Sequence, residues 1–475
     1  MDDLHLLDAR TIADEVRAGR LSAVDVLEHH LDRIERLNEP LNAFVFLDPD
    51  RARAVAADVD RRVAAGDDPG PLAGVPLGIK ELEPIEGWPD TGASTAYRDR
   101  IADRTTTMSA RLLAAGAVPV GQTASPEIGR LFWTTSILHG TTRNPWNVDR
   151  TPGGSSGGSG AALAAGLVPL ATGSDMGGSI RLPAGWCGVV GVKGTYGRVP
   201  RSPGYLGHAN MVHNGPLARS VLDCARFLDC AVGTDQRDPY SLPAPAVPYE
   251  TSTTEIDVRG LRLAVIDDLG VSPSDPEVAR VVHEAASRLI TAAGMVRVNG
   301  VELEIANLAT LGAAIIYADL DPAAAPYQGE ILTNLLNTPG AGPLMALAFS
   351  DPDLSLDAVA RTNQVRHDLN MKLAAAFDRA DVLVVPTSPL PAFGAEGPVP
   401  EVVAGREVGP AAGALFTAPF NLSGNPVVSV PAGFVDGVPV GMQLVCRRHE
   451  DALALAIAFA YERGYPWPKV VPSYA

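Results

Sequence analysis

The sequence predicts an α/β protein, a β-sheet covered on both faces by helices, folded as one large domain over residues 1–475. Three observations carry this. Short apolar runs of strand length alternate with longer runs of helical period, the pattern of a sheet with crossover helices. The chain has 475 residues, 46% hydrophobic and 20% charged, which is ordinary globular usage with enough material for a buried core. It also holds 47 glycines and 40 prolines, so many tight turns join the elements and a bundle of long helices is excluded.

The elements follow in order. Residues 7–16 and 24–37 place Leu, Ile and Val at three- and four-residue spacing and read as helices, with Ser22 and Asp25 as a capping box before the second. Residues 51–65 form a third helical pattern that ends near Gly66. The run LAGVPLGIK (72–80) reads as a buried strand entering a loop. Residues 105–115 read as a helix stopped by Gly116, and 117–120 as a strand. Later, 263–266 is a strand and 277–293 a helix framed by Pro276 and Gly294. Residues 356–377 are a long helix, 382–385, 427–430 and 442–445 are strands, and 451–461 is the last helix. The Pro-, Ser- and Thr-rich stretch 239–254 reads as a surface crossover, because the alternation continues beyond it.

Charge narrows the partners. With 38 Lys and Arg against 55 Asp and Glu, the net charge is −17, which repels phosphate backbones and anionic membranes. No nucleic acid and no membrane are expected as partners. Four scattered cysteines without a CxxC pair (Cys187, Cys224, Cys230 and Cys446) fit reduced, buried thiols, with no disulfide scaffold or zinc site. The N-terminus shows no signal-peptide pattern, and a cytoplasmic location is expected.

Chemistry concentrates in residues 151–181, TPGGSSGGSGAALAAGLVPLATGSDMGGSIR. A flexible linker is the plain reading of a Gly/Ser run, but this one is brief and framed by apolar sequence. It lacks the Lys of a P-loop and the third glycine of a dinucleotide fingerprint. Gly154-x-Ser156-x-Gly158 matches the elbow of α/β-hydrolases, which would also need a later acid and histidine. His283, His367 and His449 are available, but each sits in an ordinary helical or charged context. In the second cluster two glycines precede Ser179, which lets consecutive backbone N–H groups converge on one spot as an oxyanion hole requires. A serine nucleophile needs a base, and a lysine kept neutral by apolar burial can serve. Lys80, which closes an apolar strand, is the candidate, and no SxxK spacing is present. Lys193 reads as structural and Cys187 as a small core residue. Phe132, Trp133, Trp88 and Tyr196 flank these motifs and are candidates for an aromatic pocket or for plain core.

These motifs together resemble the amidase signature family. The likeness rests on GVPLGIK (74–80), GQTASPEIG (121–129), the run from Gly140 to Arg198, and the closing FNLSGNPVVSVPAG and GVPVGMQLV segments. It spans nearly the whole chain, with about 240–380 matched least. The resemblance implies a large mixed sheet and divides the domain into N-terminal helices (1–68), a signature core (70–235) and a sheet extension with the substrate-pocket region (236–475). It implies a Ser–cis-Ser–Lys triad, in which Lys80 is the base, Ser155 the bridging serine after a cis peptide, and Ser179 the nucleophile. The N–H groups of Met176, Gly177, Gly178 and Ser179 fall at the oxyanion positions, and Asp175 and Arg181 brace the loop. Departures are Glu81 where Asp is common, Gly194 where Pro is common and Trp186 where Phe is common; none touches the triad.

The expected activity is hydrolysis of the carbonyl C–N bond of a small aromatic amide or acylhydrazide (an aryl amidase or hydrazidase), without metal or organic cofactor. The alternatives are the amidase component of a tRNA-dependent amidotransferase, a catalytically dead binding protein on this fold, and an elbow hydrolase using Ser156. Family members are often dimers, so a homodimer is expected.

Overall fold

The structure is a computed structural model and describes residues 3–202, 211–305, 326–349 and 356–475. One sheet of eleven strands runs through it. Their spatial order is Phe44–Leu47, Val118–Thr123, Pro76–Lys80, Leu170–Asp175, His213–Ala218, Val190–Lys193, Val427–Val435, Val438–Val445, Val382–Pro386, Arg262–Val265 and Val296–Arg297. The sheet is mixed. Pro76–Lys80 runs parallel to both its neighbours, and Val382–Pro386 runs parallel to Arg262–Val265. The strands between Leu170–Asp175 and Val382–Pro386 pair antiparallel throughout.

Strand periodicity shows why both faces are covered. In Val382–Pro386, Val382 and Val384 join one apolar core while Leu383 and Val385 join another on the opposite face. Met442 and Leu444 against Val445 divide in the same way. The first core takes apolar faces of the helices Ala9–Arg17, Ala23–Leu41, Pro49–Ala65, Val221–Ala231, Pro276–Ala293 and Asp451–Gly464. The second takes Leu369, Leu373 and Phe377 of the helix Leu356–Arg379. A strand buried on both faces reads as a continuous apolar run, which is the form these segments have in the sequence.

Most element boundaries fall within a few residues of the sequence reading, and the differences have local causes. The third helix begins earlier, at Pro49, because Asp48 caps it by accepting from Arg51 N and proline suits its first turn. Ser22 accepts from Asp25 N, as the capping pattern requires. Within 72–80, only Pro76–Lys80 is strand, since turns at Gly70 and Gly74 precede it. Cys187 ends the helix Arg181–Cys187, and the next strand begins at Val190. The crossover 239–254 closes with a helix, Tyr249–Glu255. Among the described residues, no helix is long and apolar enough to cross a membrane.

Candidate active site

The site forms where three segments meet. The strand Pro76–Lys80 ends at Lys80, next to the strand Leu170–Asp175 that leads into the second Gly-Ser cluster. Between them lies the first cluster, whose residues 157–164 form a short helix. Gly158 shows why the cluster is glycine-rich: a β-carbon there would stand 2.2 Å from Ala124 N and 2.5 Å from Ala43 O. The helix therefore packs backbone against backbone.

Lys80 is fully buried. Its ammonium nitrogen lies 2.8 Å from Ser155 Oγ, 3.0 Å from Ser174 Oγ and 3.3 Å from the Ser174 carbonyl. The backbone N–H of Lys80 donates to Thr172 Oγ1, which fixes the strand end. Burial lowers the Lys80 pKa to about 7, against the pull of the Glu83 and Asp175 carboxylates. Glu83 is itself buried, its N–H donates to Lys80 O, and burial raises its pKa to about 7 against Lys80 and Arg201. The Gly154–Ser155 peptide bond is cis, as the resemblance implies. Ser156 N–H donates to Ser179 O at 3.2 Å, so the two serine-bearing segments lie side by side. Ser179 is half-buried.

The loop 175–181 is organised around one ion pair. Asp175 accepts from the N–H groups of Gly178 and Ile180, from the Arg181 guanidinium at two atoms, and from Asn421 Nδ2. Burial opposes its ionisation, but Arg181 and Asn421 hold the carboxyl well below its ordinary range. Arg181 reaches on to Thr417 O, Asn421 Oδ1 and Gln443 Oε1. Thr417 Oγ1 donates to Gly177 O. Gly178 has φ +133, and a β-carbon there would meet Thr417 Oγ1 at 2.3 Å. Asp175 and Arg181 thus tie this turn to Thr417, Asn421 and Gln443.

Gly178 departs from the expected oxyanion set. Its N–H is taken by Asp175 Oδ1 at 2.8 Å and holds the turn in shape. The N–H groups of Met176, Gly177 and Ser179 stay as candidates.

The other candidates separate clearly. Phe132 and Trp133 join a cluster with Trp186 and Phe393, ring centroids 5.2–6.1 Å apart and edge to face. A β-carbon on Gly154 would touch the Trp133 backbone, so the chain at Trp133 runs against the residue before Ser155. Trp88 belongs elsewhere: it packs on Phe46 and donates to Asp48 Oδ2. Tyr196 packs on His213 and Tyr240, outside the cluster. Lys193 donates to the carbonyls of Asn425 and Gly194. Cys187 is buried, with its thiol directed to Pro152 O. The elbow reading fails on Ser156, which is fully buried and hydrogen-bonds Ser174 O at 3.4 Å. His283 pairs with Asp267, while His367 and His449 are exposed.

Sequence reasoning missed Ser174, Glu83, Thr417, Asn421, Gln443 and Phe393. Ser174 and Glu83 carried a signal, being polar residues beside the quoted motifs. Among the described residues, no group of three His, Cys, Asp or Glu side chains could hold a metal ion.

A fully buried lysine on a serine hydroxyl, beside a braced glycine turn on a mixed sheet, is the layout of an amide-cleaving hydrolase. A family model described as "Amidase" matches residues 25–455. The chain is 35% identical to an acylamidase of Rhodococcus erythropolis, over 99% of this chain and 98% of that one. It is 36% identical to the A component of a glutamyl-tRNA(Gln) amidotransferase from Roseiflexus sp. (strain RS-1), again over 99% and 98%. The crystal structure of a bacterial aryl acylamidase of the amidase signature enzymes superposes with a TM-score of 0.90 at 32% identity, covering 98% of this chain and 97% of that one. That of 6-aminohexanoate cyclic dimer hydrolase superposes with a TM-score of 0.86 at 30% identity, covering 99% of both. The chain belongs to the amidase signature family. It is an enzyme that hydrolyses amide C–N bonds.

Proposed function

We propose that the enzyme hydrolyses a small aromatic amide or acylhydrazide through an acyl-enzyme on Ser179. The observation that carries this is the 2.8 Å contact between Lys80 Nζ and Ser155 Oγ, both on buried residues. Lys80, neutral above its lowered pKa of about 7, takes the proton of Ser155. Ser155 in turn takes the proton of Ser179, whose Oγ attacks the carbonyl carbon. The N–H groups of Met176, Gly177 and Ser179 receive the oxyanion, a contribution of about 2.7–4 kcal/mol for each donor in hydrolases of this kind. The C–N bond then breaks as Ser155 returns a proton to the leaving nitrogen and Lys80 reprotonates Ser155. Water attacks the ester by the same relay and releases the acid. The aromatic preference is supported by the likeness to an aryl acylamidase and by the ring cluster that includes Trp133, whose backbone touches Gly154.

Labelling with a fluorophosphonate followed by peptide mapping tests the machinery. One adduct on Ser179, lost in Lys80→Ala, is the expected result. An adduct elsewhere, or one that survives Lys80→Ala, overturns it.

A second reading has its own observation, since amidotransferase components match the chain as closely as the acylamidase does. Such a component, purified without its partners, is expected to show little amidase activity. Turnover of a small aryl amide by the isolated chain separates the two.

A further inference from the structure

Glu127 is a buried carboxylate that the hydrolytic relay does not use. It opens the turn Glu127–Gly129, whose backbone lies against the site: a β-carbon on Gly129 would stand 3.3 Å from Ser155 Oγ. Glu127 is therefore at most about 7 Å of chain from the serine's neighbour. Ile128, held at φ +43, packs on the apolar cluster that contains Phe132, Trp133, Trp186 and Phe393.

Three segments enclose the carboxylate, and each also feeds that cluster. The loop at 94–97 gives Ser94 to the carboxylate and Ala96 to the cluster. The turn gives Glu127 itself and Ile128. The helix Gln328–Asn337 gives Asn334 to the carboxylate and Ile331 and Leu335 to the cluster. Glu127 thus lies beside this apolar cluster.

Its hydrogen bonding is one-sided. Oε1 accepts from Ser94 Oγ at 2.5 Å and Asn334 Nδ2 at 3.0 Å. Oε2 is buried and has no partner, in a residue 1% exposed. Among the described residues no cation pairs with Glu127, and its charged neighbour is another carboxylate, Glu330. A buried carboxylate oxygen without a donor is costly unless something supplies one. Burial raises the Glu127 pKa, with Glu330 adding to the effect and Ser94 and Asn334 opposing it.

We propose that Glu127 is a specificity-determining residue whose free Oε2 receives a hydrogen-bond donor on the substrate's aromatic acyl group, a protonated amine above all. This rests on the reading of the Lys80–Ser155 site given above. In this proposal the apolar side chains beside Glu127 receive the ring, and the carboxylate selects rings that carry the donor.

The test compares 4-(aminomethyl)benzamide, 4-(hydroxymethyl)benzamide and the near-isosteric 4-ethylbenzamide. The native enzyme is expected to favour the aminomethyl over the ethyl compound by about tenfold or more in kcat/KM, with the hydroxymethyl compound between them. In Glu127→Gln that ratio falls towards one, through KM, and Glu127→Asp restores part of it. The native enzyme favouring none of the three overturns the proposal, whatever the variant's stability. So does an equal loss for all three in Glu127→Gln, which would make the residue merely structural. The same ordering is read as protection of Ser179 from fluorophosphonate labelling. A failure of turnover alone would thus strike the hydrolytic reading and leave the role of Glu127 measurable.

Discussion

Lys80 and Lys193 are close to a controlled comparison. Each ends a strand of the same sheet, each is fully buried, and burial lowers the pKa of both. They differ in what their nitrogens touch. Lys193 donates to two backbone carbonyls, which can only accept. Lys80 meets two hydroxyls, Ser155 and Ser174, which both accept and donate. A proton can pass between an amine and a hydroxyl; between an ammonium and a carbonyl it can only be shared. Burial depresses a lysine pKa, but the partner decides whether that depression can be used for chemistry.

The largest effect that would sharpen this contrast is a pair of truncations. Lys80→Met is expected to lower kcat by about 10²–10⁴-fold. Lys193→Met keeps activity within about tenfold and costs ~1–3 kcal/mol of stability, because two buried carbonyls lose their donor. Steady-state kinetics beside urea unfolding measures both, and an equal loss of activity in the two variants would erase the distinction.

Next comes the pH profile. The base is the neutral lysine, so kcat/KM is expected to be flat above about pH 7 and to fall about tenfold per unit below it. Glu83→Gln removes a carboxylate that favours the charged lysine, so the limb should move to lower pH. A limb that stays in place would take Glu83 out of the account.

The smallest effect concerns the nucleophile's turn. Gly178→Ala puts a β-carbon 2.3 Å from Thr417 Oγ1 at a left-handed φ, and turnover is expected to fall about tenfold. Thr417→Ser in that background keeps the clashing hydroxyl and should not rescue it, whereas Thr417→Ala should recover part of the loss.

The sequence made much of this legible because the key groups lie inside short motifs. Lys80 ends GVPLGIK, and Ser155 and Ser179 sit in two glycine clusters whose spacing has few other uses. The buried strands were readable as unbroken apolar runs. Leu170–Asp175 and His213–Ala218 were not identified, since Gly, Ser, Asn and Pro interrupt their apolar pattern. The site's supports were hidden for another reason. Arg181 finds Thr417, Asn421 and Gln443 more than 230 positions away, and nothing local to Arg181 foretells such partners. Phe393 reaches its ring cluster across a similar gap. The oxyanion set was overcounted by Gly178 because consecutive N–H groups look alike in a sequence, while the turn sends one of them to Asp175.

The brace on Arg181 also has a consequence in time. During synthesis every residue of the proposed relay has left the ribosome long before Thr417, Asn421 and Gln443 emerge. Until then Arg181 has no protein partner for its outward-facing donors, and Gly177 O lacks the Thr417 hydroxyl. The brace on Arg181 is therefore completed only when the last two strands of the chain have joined the sheet.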